Sequence, residues 1–219
     1  MVRRAATAIA LALVALLAGC ATVPTSSATH PRSAATDQVV TFAAVGDSLS
    51  GGCVPFPGTA PDACSWIFTT DDDPRLHYVG GWVQRGATST VIADSVRPVE
   101  ADFLVILAGT NNVLTGVPLE QLEVDFDSIA DTVDPHQVVL LAIPPIDFKA
   151  DTTAVRDTNA FLKLLAQDRG WRYFNPWSEY RDTNDRWKAD LAPDGIHPID
   201  RVQTEIGNRI AGYLDGIAD

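Results

Sequence analysis

The sequence has few basic residues, few cysteines and no long uninterrupted apolar segment. It contains 16 lysines and arginines in 219 residues, against 28 aspartates and glutamates, which gives a net charge of -12. Because phosphate binding requires clustered basic side chains, this balance argues against a nucleic-acid partner. The 3 cysteines form no CxxC pair and have no histidine cluster nearby, so the sequence indicates no metal site.

The N-terminus has the layout of an export signal. A short basic region precedes an apolar segment, residues 5–17, that is too short to span a bilayer comfortably. It ends in Leu-Ala-Gly-Cys at residues 17–20, which resembles the lipobox of bacterial lipoprotein signals. That resemblance implies that residues 1–19 are removed, that Cys20 carries lipid, and that this anchor holds an exported protein on the outer side of the cell membrane. An ordinary signal peptide with a chance cysteine is the competing interpretation.

A tether and one globular domain are expected after this signal. Residues 20–38 are rich in Ser, Thr, Ala and Pro without apolar periodicity, which predicts a flexible, lipid-anchored tether before a domain over residues 39–219. If Cys20 carries lipid, Cys53 and Cys64 remain as a pair, and an exported compartment permits a disulfide between them. Such a bridge would close a short Pro-rich loop and add about 3 kcal/mol to stability.

The domain alternates between buried-strand and amphipathic-helix patterns. Continuous apolar runs are typical of strands buried on both faces. They occur at residues 39–45, 103–107 and 138–143, with shorter candidates at 171–174 and 77–79. Apolar residues spaced three and four apart predict helices over residues 119–133, 154–167 and 200–214. This alternation predicts an α/β fold with a parallel sheet flanked by helices, whose ligands gather at the carboxyl ends of the strands.

Polar motifs follow the predicted strands at these carboxyl ends. Gly-Asp-Ser-Leu at residues 46–49 follows the first strand, and a serine there is a good nucleophile only if a base removes its proton. Gly-Thr-Asn-Asn at residues 109–112 follows the middle strand, where an Asn amide can donate to an oxyanion. Near the end, Asp194 and His197 are spaced so that the carboxylate can reach the imidazole Nδ1. Each motif alone is ambiguous, because a turn or a helix cap would also explain it.

Together, and in this order, the three motifs resemble those of the SGNH hydrolases, also called GDSL esterases, over residues 39–214. The resemblance implies a flavodoxin-like three-layer α/β/α sandwich with a central parallel sheet. It also implies a serine hydrolase that acts on ester bonds and needs neither a metal nor an organic cofactor. Carried over position by position, it implies Ser48 as the nucleophile, His197 as the general base and Asp194 as the acid that orients it.

The resemblance further implies an oxyanion hole formed by the Ser48 N–H, a glycine N–H and the Asn111 side chain. We assign the glycine to Gly86, with the Gly-Gly pair at residues 80–81 as competitors. One departure from the family pattern is Asn112, which stands where the family usually has aspartate. This departure puts the local hydrogen-bond network and the donor geometry in question.

The substrate is less constrained than the chemistry. Surface anchoring, the Pro-rich loop and the tryptophan content favour a short-chain acyl ester of a carbohydrate, such as an acetyl ester. A lipid esterase or lysophospholipase stays open because the anchor holds the domain beside lipid. An acyltransferase with the same triad and a non-catalytic surface-binding lipoprotein stay open as well. Trp177 and Trp187 flank a polar loop before His197, so we expect them at the rim of the cleft. The sequence gives no indication of the oligomeric state.

Overall fold

The fold is built on a sheet of five parallel strands. A computed structural model of the chain describes residues 38–52, 58–148 and 152–218. The strands in this part of the chain are β1 (Val40–Gly46), β2 (Leu76–Val83), β3 (Phe103–Leu107), β4 (Gln137–Leu141) and β5 (Arg172–Phe174). They are hydrogen-bonded in the order β2-β1-β3-β4-β5, and every neighbouring pair is parallel. The predicted α/β fold is therefore confirmed, including the two short strand candidates.

Helices connect these strands and cover both faces of the sheet. The α-helices within the described ranges are α1 (Ser48–Gly51), α2 (Trp66–Asp71), α3 (Ser89–Ser95), α4 (Thr110–Thr115), α5 (Leu119–Val133), α6 (Thr152–Arg169) and α7 (Asp200–Ile217). The structure has a helix at each of the three positions that periodicity predicted, α5, α6 and α7. The shorter helices were not predicted, because two turns or fewer carry too little periodicity to be recognised. Of the helices described, none combines the length and apolarity needed to cross a membrane.

The apolar runs of the sequence are explained by the two layers of helices. Successive residues of β1 point to opposite faces of the sheet, so Phe42 contributes to one apolar core and Ala43 to the other. The first core is shared with α2 and α7, and the second with α3, α5 and α6. Both side chains have 0% of their surface exposed. A strand that is covered on both faces needs apolar residues at every position, which produces a continuous run instead of an alternating one.

The expectation that Trp177 and Trp187 lie at the cleft rim is wrong. Their exposed fractions are 0% and 6%, and their rings pack edge to face with centroids 5.8 Å apart in the core that faces α7. The Trp177 Nε1 donates to the Ala142 carbonyl at 2.7 Å. Between the two tryptophans the chain forms a short 3₁₀ helix, Ser178–Tyr180, and then a polar turn whose ends are joined by an antiparallel bridge between Arg181 and Trp187. The loop is exposed while both of its ends are anchored in the core.

The order of the strands brings three chain segments to one edge of the sheet. β1 lies between β2 and β3, so the segments that follow these three strands are neighbours at the carboxyl edge. From β1 the chain goes to β2 on one side and then crosses to β3 on the other. Clefts in open parallel sheets form where the direction of winding changes in this way. The Ser48, Gly86 and Asn111 segments all begin at this point.

The signal peptide, the lipidated Cys20 and most of the tether lie outside the described residues, and so does Cys53. These assignments stay predictions, as does the disulfide with Cys64. The ends of the predicted disulfide loop are nevertheless joined by hydrogen bonds. The Asp62 N–H donates to the Gly51 carbonyl at 2.9 Å, and the Ser65 hydroxyl donates to the Ser50 carbonyl at 2.7 Å.

The contact between α2 and α7 gives a matched pair of stability variants. A Cβ added at Gly207 would lie 2.5 Å from the Thr69 Cβ and 2.7 Å from the Trp66 carbonyl oxygen, whereas one at Gly212 has no neighbour within 4 Å. We therefore expect Gly207→Ala to lower the free energy of unfolding by about 1–3 kcal/mol, because the two helices must separate. Gly212→Ala, in the same helix, should raise it by up to about 1 kcal/mol through helix propensity. Urea unfolding measures both values, and equal effects of the two variants would contradict this packing.

Candidate active site

The turn after β1 presents Ser48 at the carboxyl edge of the sheet. Gly46 ends the strand so close to β3 that a Cβ would lie 2.5 Å from the Leu107 carbonyl oxygen. Asp47 has an extended backbone and caps α1, with its Oδ1 accepting from the Leu49 N–H at 2.9 Å. Ser48 is the first residue of this short helix and has 6% of its surface exposed.

Ser48, His197 and Asp194 form a continuous chain of hydrogen bonds. The Ser48 Oγ lies 2.8 Å from the His197 Nε2, and the His197 Nδ1 lies 2.6 Å from the Asp194 Oδ2. A carboxylate can only accept, so the ring proton belongs on Nδ1. Nε2 is then free to accept the hydroxyl proton of Ser48. The structure thus brings together three residues that the sequence analysis grouped, across a separation of 149 positions.

The backbone of the loop before α7 fixes the position of the histidine. The Asp194 Oδ1 accepts from the N–H groups of Ile196 at 2.9 Å and His197 at 2.7 Å. Partial burial by itself would raise the pKa of the Asp194 carboxyl, but the hydrogen bonds from the His197 ring and these two N–H groups hold the pKa below its ordinary value. The loop is also tied to the segment after β4, where the Asp147 N–H donates to the Gly195 carbonyl at 2.7 Å.

The backbone N–H groups of Ser48 and Gly86 donate to no group among the described residues. Gly86 lies beyond the end of β2 with a φ of 75°, in the left-handed region that glycine adopts easily. A Cβ there would meet no atom within 4 Å, so its surroundings are open. The competing pair Gly80 and Gly81 lies inside β2, paired with β1. Of the candidate glycines, Gly86 is therefore the one that follows the strand at the carboxyl edge.

Asn111 connects the turn that carries Ser48 to the segment that carries Gly86. Its Nδ2 donates to the Asp47 Oδ2 at 3.0 Å and to the Ala87 carbonyl at 3.0 Å. Asp47 has 0% of its surface exposed. Burial raises the pKa of its carboxyl to about 7, although the hydrogen bonds from Leu49 and Asn111 act in the opposite direction. The sequence analysis considered a turn or a helix cap for this motif, and the structure shows the cap, but the contact between Asp47 and Asn111 was not identified.

Asn112, the departure from the family pattern, belongs to a separate buried network. Its Oδ1 accepts from the Ser89 N–H at 2.9 Å, and its Nδ2 donates to the Ser89 Oγ at 2.7 Å. The Ser89 hydroxyl in turn donates to the Asp125 Oδ2 at 2.5 Å. Because an amide donates where a carboxylate would accept, the serine proton is directed to the acid on α5. Both ends of the Asn112 amide are therefore hydrogen-bonded. The Asn112 network does not involve the Asn111 side chain, which keeps its bonds to Asp47 and Ala87.

Asn159 and Arg181 shape the segment after β4 and were missed by the sequence analysis. The Asn159 amide accepts from the Ile143 N–H at 2.8 Å and donates to the Ile143 carbonyl at 3.0 Å. The Arg181 guanidinium donates to the same carbonyl at 2.7 Å. No local pattern marks these residues, because their partner is distant in the sequence. Within the described ranges, no group of three or more histidine, cysteine, aspartate or glutamate side chains is arranged to hold a metal ion.

The buried Asp47 carboxyl makes stability depend on pH in a specific direction. Its pKa rises from 3.8, the ordinary value expected in the unfolded chain, to about 7 in the fold. The folded state therefore binds the proton more tightly, and the contribution of Asp47 to stability falls as the pH rises through this interval. The free energy of unfolding of Asp47→Asn, minus that of the unsubstituted protein, should increase between pH 4 and pH 8.

Urea unfolding at each pH measures this difference, and Asp102→Asn is the matched control. Asp102 also accepts from a backbone N–H and a hydroxyl, both of Thr41, but these bonds lower the pKa of its carboxyl. Asp102 also pairs with the His136 ring, whose Nδ1 lies 3.1 Å from Oδ1, so the control is measured in a His136→Gln background. There the contribution of Asp102 is lost only at acidic pH, and its difference should stay constant from pH 5 to pH 8. If the difference in the free energy of unfolding between Asp47→Asn and the unsubstituted protein is also constant over this pH range, the raised pKa of Asp47 is refuted.

Solved structures with the same fold come from several bacterial hydrolases. The carbohydrate acetylesterase Est24 from Sinorhizobium meliloti has 15% sequence identity and a TM-score of 0.61, with 81% of this chain and 99% of that chain covered. A GDSL-like lipase from Bacteroides thetaiotaomicron has 16% identity and a TM-score of 0.60, covering 81% and 88%. A member of the lipolytic protein G-D-S-L family from Veillonella parvula has 14% identity and a TM-score of 0.60, covering 81% and 97%.

At these identities the likeness shows a shared fold, and no curated protein matches the sequence. The family is shown by a match to the sequence model of the GDSL-like lipase/acylhydrolases over residues 44–203, which is more than half of the chain. The matched region begins in β1 and ends in α7, so it contains the Ser48, Asn111 and His197 segments. The chain therefore belongs to the GDSL-like lipase/acylhydrolase family and is a hydrolase of ester bonds with the SGNH hydrolase fold.

Proposed function

We propose that this hydrolase is a serine esterase that uses Ser48 as nucleophile, His197 as general base and Asp194 as the acid that orients the histidine. The observation that carries the proposal is the hydrogen-bond chain, with 2.8 Å between Ser48 Oγ and His197 Nε2 and 2.6 Å between His197 Nδ1 and Asp194 Oδ2. A serine hydroxyl becomes a nucleophile when a base takes its proton during attack, and the unprotonated Nε2 meets this requirement.

The proposed reaction has two acyl-transfer steps. The Ser48 Oγ attacks the ester carbonyl while its proton passes to the His197 Nε2. Collapse of the tetrahedral intermediate breaks the bond to the leaving alcohol, and the alcohol oxygen takes the proton from His197. Water then attacks the acyl-enzyme with His197 again as the base, which releases the carboxylic acid and restores Ser48. The ionised Asp194 stabilises the positive charge that the imidazole carries in both steps.

The proposed oxyanion hole consists of the Ser48 N–H, the Gly86 N–H and the Asn111 Nδ2. Its support is that the three groups follow three adjacent strands and that the two backbone donors have no partner among the described residues. Donors that are already in place before the negative charge develops stabilise the transition state without a cost for rearrangement.

The proposed substrate is a short-chain acyl ester, such as an acetyl ester, of a carbohydrate at the cell surface. Support comes from the lipobox-like sequence ending at Cys20 and from the shared fold with a carbohydrate acetylesterase. In this proposal the lipid at Cys20 holds the exported domain beside the membrane, and residues 20–38 give it reach. A lipid ester is the competing substrate, because the same anchor would bring the site close to a bilayer.

The nucleophile is tested with Ser48→Ala. We expect kcat on p-nitrophenyl acetate to fall by at least about 10⁴-fold, because the variant lacks the oxygen that forms the acyl-enzyme. A fluorophosphonate probe should label the unsubstituted protein and not the variant. Ser128→Ala, at an exposed position of α5, is the matched control and should keep both activity and labelling. Full activity or labelling of Ser48→Ala would refute the proposal.

The acyl preference is tested with nitrophenyl esters of increasing chain length. For a short-chain esterase, kcat/KM should be highest for the acetyl ester and fall steadily toward the decanoyl ester. The carbohydrate part is then tested with an acetylated oligosaccharide, from which released acetate is measured. If kcat/KM rises with chain length and the oligosaccharide is not deacetylated, the lipid ester is the substrate and the carbohydrate proposal is wrong.

A further inference from the structure

The segment that follows Gly86 is held by the amides of two consecutive residues of α4. The Asn111 Nδ2 donates to the Ala87 carbonyl at 3.0 Å. The Asn112 Oδ1 accepts from the Ser89 N–H at 2.9 Å, and its Nδ2 donates to the Ser89 Oγ at 2.7 Å. These three bonds lie within three residues of Gly86, so they restrict the backbone that leaves it.

The Ser89 hydroxyl has one proton, and its neighbours determine where that proton points. A backbone N–H can only donate, so the Asn112 amide turns its oxygen toward the Ser89 N–H and its nitrogen toward the Ser89 Oγ. The Oγ therefore accepts from Asn112 and donates its own proton to the Asp125 Oδ2 at 2.5 Å. Ser89, Asn112 and Asp125 have 0%, 1% and 4% of their surface exposed, so water does not replace a missing partner.

One acid and one amide satisfy this hydroxyl, whereas two acids do not. With carboxylates at both positions 112 and 125, the single proton of Ser89 would point to only one of them, and the other carboxylate would face a lone pair of the Oγ. Two negative charges would also be buried next to one hydroxyl group, which is costly without further compensation. An aspartate at position 112, the usual residue of the family, is therefore incompatible with Asp125.

We propose that Asn112 and Asp125 are a matched pair of positioning residues. The carboxylate on α5 takes the Ser89 proton, and this makes an amide at position 112 necessary to hold the segment after Gly86. That segment lies beside the turn that carries Ser48, because the Gln84 N–H donates to the Gly46 carbonyl at 3.2 Å. The catalytic part of the inference rests on the proposed function, in which the Gly86 N–H is an oxyanion donor.

The exchanged pair, Asn112→Asp with Asp125→Asn, would satisfy the same groups with the proton reversed. The carboxylate introduced at position 112 would accept from both the N–H and the hydroxyl of Ser89. The NH₂ introduced at position 125 would donate to the Ser89 Oγ and to the Thr90 Oγ1, which lies 2.8 Å from the Asp125 Oδ2. The oxygen of the same introduced amide would keep the bond from the Gln121 Nε2, now 2.8 Å from the Asp125 Oδ1.

A double-mutant cycle with Asn112→Asp and Asp125→Asn in the full-length chain tests the proposal. Asn112→Asp should lower the urea midpoint of unfolding by about 1 M. It should lower kcat on p-nitrophenyl acetate by about 10–10²-fold with little change in KM, through displacement of the Gly86 N–H. Asp125→Asn alone should have smaller effects, because its amide oxygen can accept from Ser89 while the Gln121 amide turns to accept from its NH₂. The double variant should recover both losses, with kcat within about 3-fold of the unsubstituted protein.

Asp127→Asn is the matched control for the removal of charge. It takes one negative charge from the same helix, but Asp127 pairs with Arg169 at 2.8 Å and has 38% of its side chain exposed. Combined with Asn112→Asp, it should restore neither the urea midpoint nor kcat. If it restores them as well as Asp125→Asn does, net charge explains the effect and the matched pair is refuted.

The remaining outcomes separate this inference from the proposed function. Full stability of Asn112→Asp, or losses that simply add in the double variant, would overturn the matched pair. If Asn112→Asp does not fold, a cooperative urea transition in the double variant supports the pair, and its absence refutes it. If stability is recovered while kcat never changes, the positioning role is wrong. Ser48→Ala tests the proposed function separately, and its failure would not alter the coupling measured by unfolding.

Discussion

The close packing of β1 against both of its neighbours is the constraint on which the site depends. A Cβ at Gly46 would lie 2.5 Å from the Leu107 carbonyl oxygen, and one at Gly81 would collide with the Ala44 carbonyl. A glycine at the end of β1 and another within β2 therefore allow β2, β1 and β3 to end together at one edge. Because these strands end side by side, the residues that follow them are neighbours in space, although those residues are far apart in the sequence.

The fold was largely predictable because burial on both faces leaves a strong signal. The run from Val39 to Val45 is continuous because β1 is covered by helices on each side, and α5 was recognisable from its periodic apolar residues. Where that signal is absent, prediction failed. Trp177 and Trp187 were assigned to the rim because they flank polar residues, yet a short bridged turn anchors both rings in the core. The polar residues correctly indicate a loop between the two tryptophans. They do not show whether the tryptophan side chains at its ends point into the core or toward solvent.

The site was predictable as a set of residues but not as a hydrogen-bond network. Spacing grouped Asp194 with His197, and the order of the motifs added Ser48 and Asn111. The bond from Asn111 to Asp47 joins residues 64 positions apart, and only the tertiary structure brings them within reach. Nor could the sequence show that Asn112 directs a serine proton to an acid on another helix. A substitution at one motif position is interpretable only when its partners in space are known.

The two halves of the site are held by different means. Ser48, Gly86 and Asn111 directly follow strands of the sheet, so their positions are set by the pairing of those strands. His197 lies in a loop, which is held by the Asp194 hydrogen bonds, by further backbone bonds within the loop, and by the contact between the Asp147 N–H and the Gly195 carbonyl. The segment that carries Asp147 is itself fixed where it leaves β4, by the bonds of Asn159 and Arg181 to Ile143. The 2.8 Å bond between Ser48 and His197 thus joins a residue positioned by the sheet to a residue positioned by loop contacts, so residues outside the triad support its geometry.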